Sequence, residues 1–462
     1  IFSLLMALVQ STPISTQLFE EKMKGLNQLM TSELTSNLEE KKFVDEKIVE
    51  IEINKTKMVS TDGSPIVDDD SVYSGPYSKE YYEGDILLTK EQLDTIVGSD
   101  GKTKRQAQYN SYYPNNIWKG TPIPYYFDRN FPSNRIPSVR AAIKYWESNT
   151  CIRFTENGSG RARVRFINGN GCYANIGKTG GEQVISIGYG CDWIGTIAHE
   201  IEHTLGVWHT QARYDRSNYV SINAWNVLSN QLYNFNTQSQ SYTNLFGIPY
   251  EFGSVMHYAE NDFARDRSRP TIVARNGYER LQHSMSNYLP TIYDIKLINT
   301  YYQCYDNCPR KLSCQNGGQQ DVNNCSRCKC PVGFGGTYCE NISTSGCDRS
   351  MVIGASPINI TATAGRSGLY SITYNECAIH LKPAQSGRRL EVTVTSGYGM
   401  SSWNCYGAGV DVRVSRDPAM TGIRICRPNT RYQPIVSDGD RIVLNLFSRI
   451  NYVSFTFTAR MI

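Results

Sequence analysis

The sequence predicts several domains in one chain: an α+β domain, then a small disulfide-rich module, then an all-β domain. Three observations predict it. At 462 residues the chain is too long for one ordinary core. All fourteen cysteines fall between Cys151 and Cys426, so disulfide-stapled units follow a cysteine-free leader. The apolar pattern also changes, from helical spacing over 136–149 to strict alternation over 390–394, 410–414 and 453–457.

The net charge of +4 is small for this length and no basic stripe is present, so no nucleic-acid partner is expected. An even cysteine count points to an oxidising compartment. Zinc binding by Cys325 and Cys328 in a reducing one is the other reading open at this point.

Residues 1–9 are almost wholly apolar, too short to span a bilayer, and fit the hydrophobic part of a secretory leader, placed at 1–16. No initiator Met or basic flank precedes them, so the sequence is expected to begin within that leader. No later run approaches a membrane helix in length, so a secreted chain without a membrane span is expected. Residues 17–105 are charged, free of cysteine and poor in aromatic residues until Tyr73, with helical character over 20–42. So little apolar material fits a removable pro-segment. Lys102-Thr103-Lys104-Arg105 stands at the composition boundary, either a cleavage site between Arg105 and Gln106 or a solvated charged turn.

From residue 106 the composition turns to Tyr, Asn, Trp and Gly. Residues 122–127 read as a strand. Residues 136–149 read as an amphipathic helix with Val139, Ile143 and Trp146 on one stripe. Strands follow at 163–166 and around Ile185 and Ile187, then helices at 194–206 and 293–302. The helix at 194–206 leads into His199-Glu200-Ile201-Glu202-His203-Thr204-Leu205-Gly206-Val207-Trp208-His209, the spacing H-E-x-x-H-x-x-G-x-x-H. Positions i and i+4 share a helix face, so His199 and His203 present two imidazoles to one metal, and Glu200 beside them reaches a water on it. A third histidine cannot reach the same ion if the helix continues. Gly206 can take φ > 0 and turn the chain back. His209 then makes three protein ligands with one position left for water, the pattern of a catalytic rather than a structural zinc site, so one Zn²⁺ is the expected cofactor. Tyr82-Glu83-Gly84-Asp85 places a carboxylate on a glycine turn, able to occupy that open position and keep the site latent.

Ser254-Val255-Met256-His257-Tyr258 resembles the methionine turn of the metzincins. Gly195-Thr196-Ile197-Ala198 precedes the histidine motif, and Gln211-Ala212-Arg213-Tyr214-Asp215-Arg216 and Tyr219-Val220-Ser221-Ile222-Asn223 follow it. On these residues, 106–304 resembles the astacin family of zinc metalloendopeptidases. The resemblance implies an α+β metzincin fold and the pairs Cys151–Cys304 and Cys172–Cys191. It implies Glu200 as general base, and Tyr258 as an extra zinc ligand that later donates to the oxyanion. Asp85 matches the family's pro-segment aspartate, usually set in Phe-x-Gly-Asp. Two positions depart from the family. Thr210 stands where a Glu normally links to the mature amino terminus, and Leu281-Gln282-His283 stands where Gly-Gln-Arg is common, so no preference beside the scissile bond carries over.

Residues 305–340 resemble an EGF-like module, with Asn316-Gly317-Gly318 and Cys330-Pro331-Val332-Gly333-Phe334. Six cysteines allow fifteen pairings. The usual order of such modules implies Cys308–Cys325, Cys314–Cys328 and Cys330–Cys339. Residues 347–462 read as a β-sandwich and resemble a CUB domain, which implies Cys347–Cys377 and Cys405–Cys426. Glu376 and Asp411 there are either surface carboxylates or Ca²⁺ ligands. Asn157, Asn341 and Asn359 head N-glycosylation triplets. The domain order resembles nematode astacins. The resemblance implies a secreted zymogen that cuts extracellular or matrix proteins (collagen, cuticle, eggshell or host tissue) and needs an activating protease as partner. The other reading is a catalytically silent recognition protein built on the EGF- and CUB-like units. The complete set of His199, Glu200, His203, His209 and Tyr258 favours the enzyme.

Overall fold

The computed structural model describes residues 16–57, 81–97, 116–120, 122–240, 243–344, 346–399, 405, 407–426 and 432–462. The expected leader, except Thr16, and the Arg105–Gln106 bond lie outside them. The N-terminal segment begins with two helices, α1 (Thr16–Thr35) and α2 (Leu38–Lys57). These run beyond the predicted stretch and break at Asn37, whose side chain accepts the Glu40 N–H at 3.0 Å and starts α2. After a strand, β1 (Ile86–Leu87), α3 (Lys90–Val97) opens on a reciprocal cap between Thr89 and Gln92.

The central domain has two unlike halves. Its N-terminal half comprises β2 (Ile123–Phe127), α4 (Ile136–Asn149), β3 (Phe154–Glu156), β4 (Arg163–Ile167), β5 (Cys172–Asn175), β6 (Glu182–Ile187) and α5 (Ile194–Thr204). The strands form one sheet in the order β1-β5-β6-β4-β2-β3, parallel except for β5 against β6. The N-terminal segment thus supplies the edge strand. Val139, Ile143 and Trp146 of α4 meet Val164, Phe166 and Ile185 of the sheet and Ile197 and Ile201 of α5 in one core. The Trp146 indole N–H donates to Ala198 O at 3.0 Å, so this tryptophan is buried with its polar atom satisfied.

The C-terminal half is irregular: short 3₁₀ turns, one small ladder of β7 (Val220–Ile222) and β8 (Ile272–Ala274), then α6 (Ile292–Tyr301). Thr291 and Asp294 cap α6 reciprocally. Its core is completed by the N-terminal segment. Phe19, Met23, Leu26 and Met30 of α1, with Tyr82, Ile86, Leu88 and Leu93, cluster with Val227, Leu232, Phe235, Tyr258 and Phe263.

A small module follows, with β9 (Gln319–Gln320) paired to β10 (Cys328–Lys329) and β11 (Phe334–Gly335) to β12 (Asn341–Ile342). The C-terminal unit is all β: β13 (Arg349–Ile353), β14 (Ile358–Pro383), β15 (Leu390–Gly399), β16 (Ala408–Arg413), β17 (Ile423–Ile425), β18 (Ile435–Val436) and β19 (Ile442–Met461). β14 and β19 each run through two groups of strands. Residues 375–381 pair with 442–448 beside β13 and β16, and 358–365 pair with 452–459 beside β15. Both groups contribute to one core through Ile379, Leu444, Val410, Val392, Phe455 and Phe457. Every cysteine is paired: 151–304, 172–191, 308–325, 314–328, 330–339, 347–377 and 405–426. Asn157, Asn341 and Asn359 are exposed.

Candidate metal centre

The core face of α5 carries Ile197, Ala198 and Ile201, which leaves His199 and His203 on the face turned to the cleft. The helix ends at Thr204. Gly206 takes φ 101°, and Val207 N–H reaches back to Glu202 O at 3.2 Å. The chain reverses there, and His209 arrives beside the other two, with ring centroids 5.2 Å from His199 and 4.7 Å from His203. The Nδ1 atoms are fixed from behind. His199 donates to Val255 O and His203 to Val207 O, both at 2.8 Å, which turns each Nε2 inward.

Asp85 lies at the convergence point. Its Oδ2 is 3.2 Å from His199 Nε2 and 3.3 Å from His209 Nε2, and its Oδ1 is 3.4 Å from His203 Nε2. Ligands about 2.0 Å from a tetrahedral zinc are separated by about 3.3 Å, which the three Asp85–imidazole distances match, and the four ligand atoms all lie within 4.8 Å of one another. His203 Nε2, His209 Nε2 and Asp85 Oδ1 are buried without a hydrogen-bond partner, as ligand atoms facing a metal would be. These four residues form the one such group among the described residues.

The turn that delivers Asp85 is itself bound. Glu83 is fully buried with φ 47°. It accepts from His209 Nδ1 at 2.8 Å and from Gln238 Nε2 at 2.7 Å, and its carbonyl accepts the Tyr258 hydroxyl at 2.5 Å. Gly84 sits at φ 82° against the Phe263 ring, where a Cβ would come within 2.7 Å of Cζ. Tyr82 is buried, its hydroxyl accepting from Asn236 and Gln238. Ile86 and Leu87 then lie parallel to Ala174 and Asn175.

Burial, and then the Asp85 charge, push the Glu200 carboxyl well above its usual range. Burial opposes the Asp85 charge too, but the histidines outweigh it and hold that carboxyl well below the usual range. Burial takes His203 down to about 4. His209 is buried as deeply, yet Asp85 and Glu83 carry it up to about 10.

Met256 is buried on the turn whose neighbour Val255 holds His199, and its carbonyl accepts the Thr210 N–H at 2.8 Å. Thr210 faces a cavity of about 140 Å³ whose wall includes the carboxylates Glu251 and Asp294. Glu376 and Asp411 of the C-terminal unit belong to no metal-holding group among the described residues. Asp411 pairs with Arg424 at 3.1 Å and Glu376 accepts from Asn445 at 3.3 Å. Glu83 and Gln238 escape the sequence reading. Glu83 has a signal, its place beside Asp85, whereas Gln238 lies in a stretch with no pattern.

The family model for astacin, a peptidase family, matches residues 110–303. The chain is 32% identical over 380 residues to zinc metalloproteinase nas-31 of Caenorhabditis elegans, covering 80% of this chain and 61% of that one. It is 31% identical over 420 residues to zinc metalloproteinase nas-29 of the same organism, covering 83% and 77%. High choriolytic enzyme 1, a hatching-enzyme zinc protease of Oryzias latipes, shares 30% identity over 43% of this chain and 99% of its own, with a TM-score of 0.39. The chain thus spans less than two thirds of the length of the first of these relatives.

Proposed function

The chain belongs to the astacin family of zinc peptidases, and from this premise we propose that it is a secreted zinc endopeptidase made as a zymogen. The observation that carries the reading is Asp85 seated 3.2–3.4 Å from all three imidazole Nε2 atoms. In this reading residues 17–105 are the pro-segment, 106–304 the peptidase, 305–340 an EGF-like module and 347–462 a CUB domain. An activating protease cuts at Arg105–Gln106. The substrates are extracellular or matrix proteins, chosen in part by the two C-terminal modules. No helix among the described residues is long and apolar enough to cross a membrane.

His199, His203 and His209 would hold a zinc ion, which would supply Lewis acidity toward a water and the scissile carbonyl. Withdrawal of Asp85 removes one of the two causes that raise the Glu200 carboxyl, burial being the other. Glu200 then takes a proton from the attacking water and returns it to the leaving amine. The same withdrawal frees the Tyr258 hydroxyl from the Glu83 carbonyl, so it can donate to the oxyanion. Departure of β1 bares the β5 edge, whose backbone can pair with an extended peptide.

The test uses secreted chain trimmed at Arg105, a gelatin or peptide-library substrate, a chelator and Glu200→Gln. Chelator-sensitive cleavage lost in the variant is expected. Stoichiometric zinc with no cleavage of any substrate would sink the reading.

A further inference from the structure

The C-terminal β unit grips both halves of the central domain at once. Arg449 of β19 is 1% exposed, and its guanidinium lies 4.7 Å from the centroid of Trp193 and 4.3 Å from that of Tyr288. Trp193 is the residue that caps α5, the helix carrying His199, Glu200 and His203. Tyr288 belongs to the C-terminal half. Its carbonyl packs so closely on the first turn of α5 that a Cβ added at Gly195 would run into it. One buried cation therefore holds an aromatic ring from each half, directly at the start of the metal-ligand helix.

A second contact lies beneath the turn that bears Met256. The Thr421 N–H is shared between both Glu251 oxygens, at 3.3 and 3.2 Å, and Gly253 leaves room for the Thr421 side chain where a Cβ would collide with it. Arg424 N–H donates to Ser284 Oγ at 3.0 Å and its guanidinium to Ser286 O at 2.6 Å, while Asp411 fixes it from behind. Asp417 accepts from the Tyr293 hydroxyl on α6. These groups are buried or half-buried and directional, which sets a fixed pose rather than a loose tether.

We propose that the β unit is a clamp that sets the spacing of the two halves across the metal centre, with Arg449 as a positioning residue. It is then part of the catalytic unit and not only an adaptor for large substrates. This rests on the peptidase reading above. A shift of about an ångström far from the chemistry can cost about a hundred-fold in rate, which is the scale expected here.

The experiment compares chain trimmed at Arg105 with its Arg449→Ala and Arg449→Lys variants on a short fluorogenic peptide, together with hydrogen exchange over residues 194–198. Arg449→Ala should lower kcat by roughly ten- to a hundred-fold with KM unchanged, and should speed exchange at the start of α5. Arg449→Lys, which keeps a cation on the rings, should restore most of both. Wild-type kcat and exchange in Arg449→Ala would overturn the clamp, as would a defect confined to large protein substrates. If Arg449→Ala does not fold, Arg449→Gln gives the same readings with the chain length kept. If the wild-type chain cuts nothing, the peptidase reading fails, while the exchange comparison still decides the clamp.

Discussion

The two halves of the central domain reach their cores by different routes. The N-terminal half closes its own without the N-terminal segment, with α4 and α5 packed on the sheet, Trp146 buried between them and Ile295 and Ile298 of α6 added. The C-terminal half borrows from the proposed pro-segment, and four side chains of α1 and four from Tyr82 to Leu93 sit among its own. The metal centre lies across the join. His199, Glu200 and His203 come from the self-sufficient half, and His209, Met256 and Tyr258 from the borrowing one. The difference teaches that the N-terminal segment does more than bring Asp85 to the site: it is structural material for one side of it. Removal of the segment would therefore take side chains out of the core of the C-terminal half, whereas the N-terminal half would lose its β1 edge strand but keep its core.

Four measurements break or sharpen that contrast. The largest effect is expected on the self-sufficient side. Glu200→Gln should lower kcat of the trimmed chain by about 10³–10⁴-fold while zinc stoichiometry and pro-segment affinity stay unchanged. Tyr258→Phe should cost less, about 10²–10³-fold in kcat. Because Tyr258 also donates to Glu83 O in the uncut chain, it should weaken rebinding of the separated N-terminal segment, which titration of activity with that segment reads. Equal rebinding to both variants would count against the contrast.

Leu26→Ala, at a side chain 1% exposed in α1, should lower the stability of the uncut chain by about 2–5 kcal/mol. Denaturant melts of the uncut chain with and without the substitution check this, and an unaffected uncut chain would show that the shared core carries no weight.

The smallest effect concerns pH. Burial raises the Glu251 carboxyl to about 7 in the fold, against the usual 4.5. A raised folded value means that stability is fully present below about 4.5 and is lost as pH rises through about 7. The loss is at most about 3 kcal/mol. Glu251→Gln should flatten that slope in melts taken between pH 4.5 and 8. An unchanged slope would assign the pH dependence elsewhere.

The same contrast explains what the sequence can tell. The apolar stripe predicts α4 at 136–149, and the helix spans Ile136–Asn149 because Val139, Ile143 and Trp146 do pack on one side. The predicted end of the histidine helix at Gly206 falls two residues past its last helical residue, Thr204, where the left-handed glycine reverses the chain. The four-residue metal group is equally legible, because its spacing is local except for Asp85. The C-terminal half shows little in advance, since its contacts are polar and distant. Glu83 meets His209 across 126 positions and Gln238 across 155, and no periodicity encodes such pairs. Nor does composition reveal that a charged leader places Phe19, Met23, Leu26 and Met30 on one side of a helix and lends them to another domain.

The Cys151–Cys304 bond, 153 residues apart, has a consequence for durability. It encircles every histidine of the metal centre, together with Tyr258 and the whole irregular half. A single nick at any peptide bond within that ring leaves two fragments that remain one covalent molecule. In surroundings where proteases are common, or where copies of this chain meet one another, damage to a surface loop would not by itself separate the ligands contributed by the two sides. A nicked molecule would run at full size on a gel until reduced, so intact mobility without reductant says little about an intact backbone.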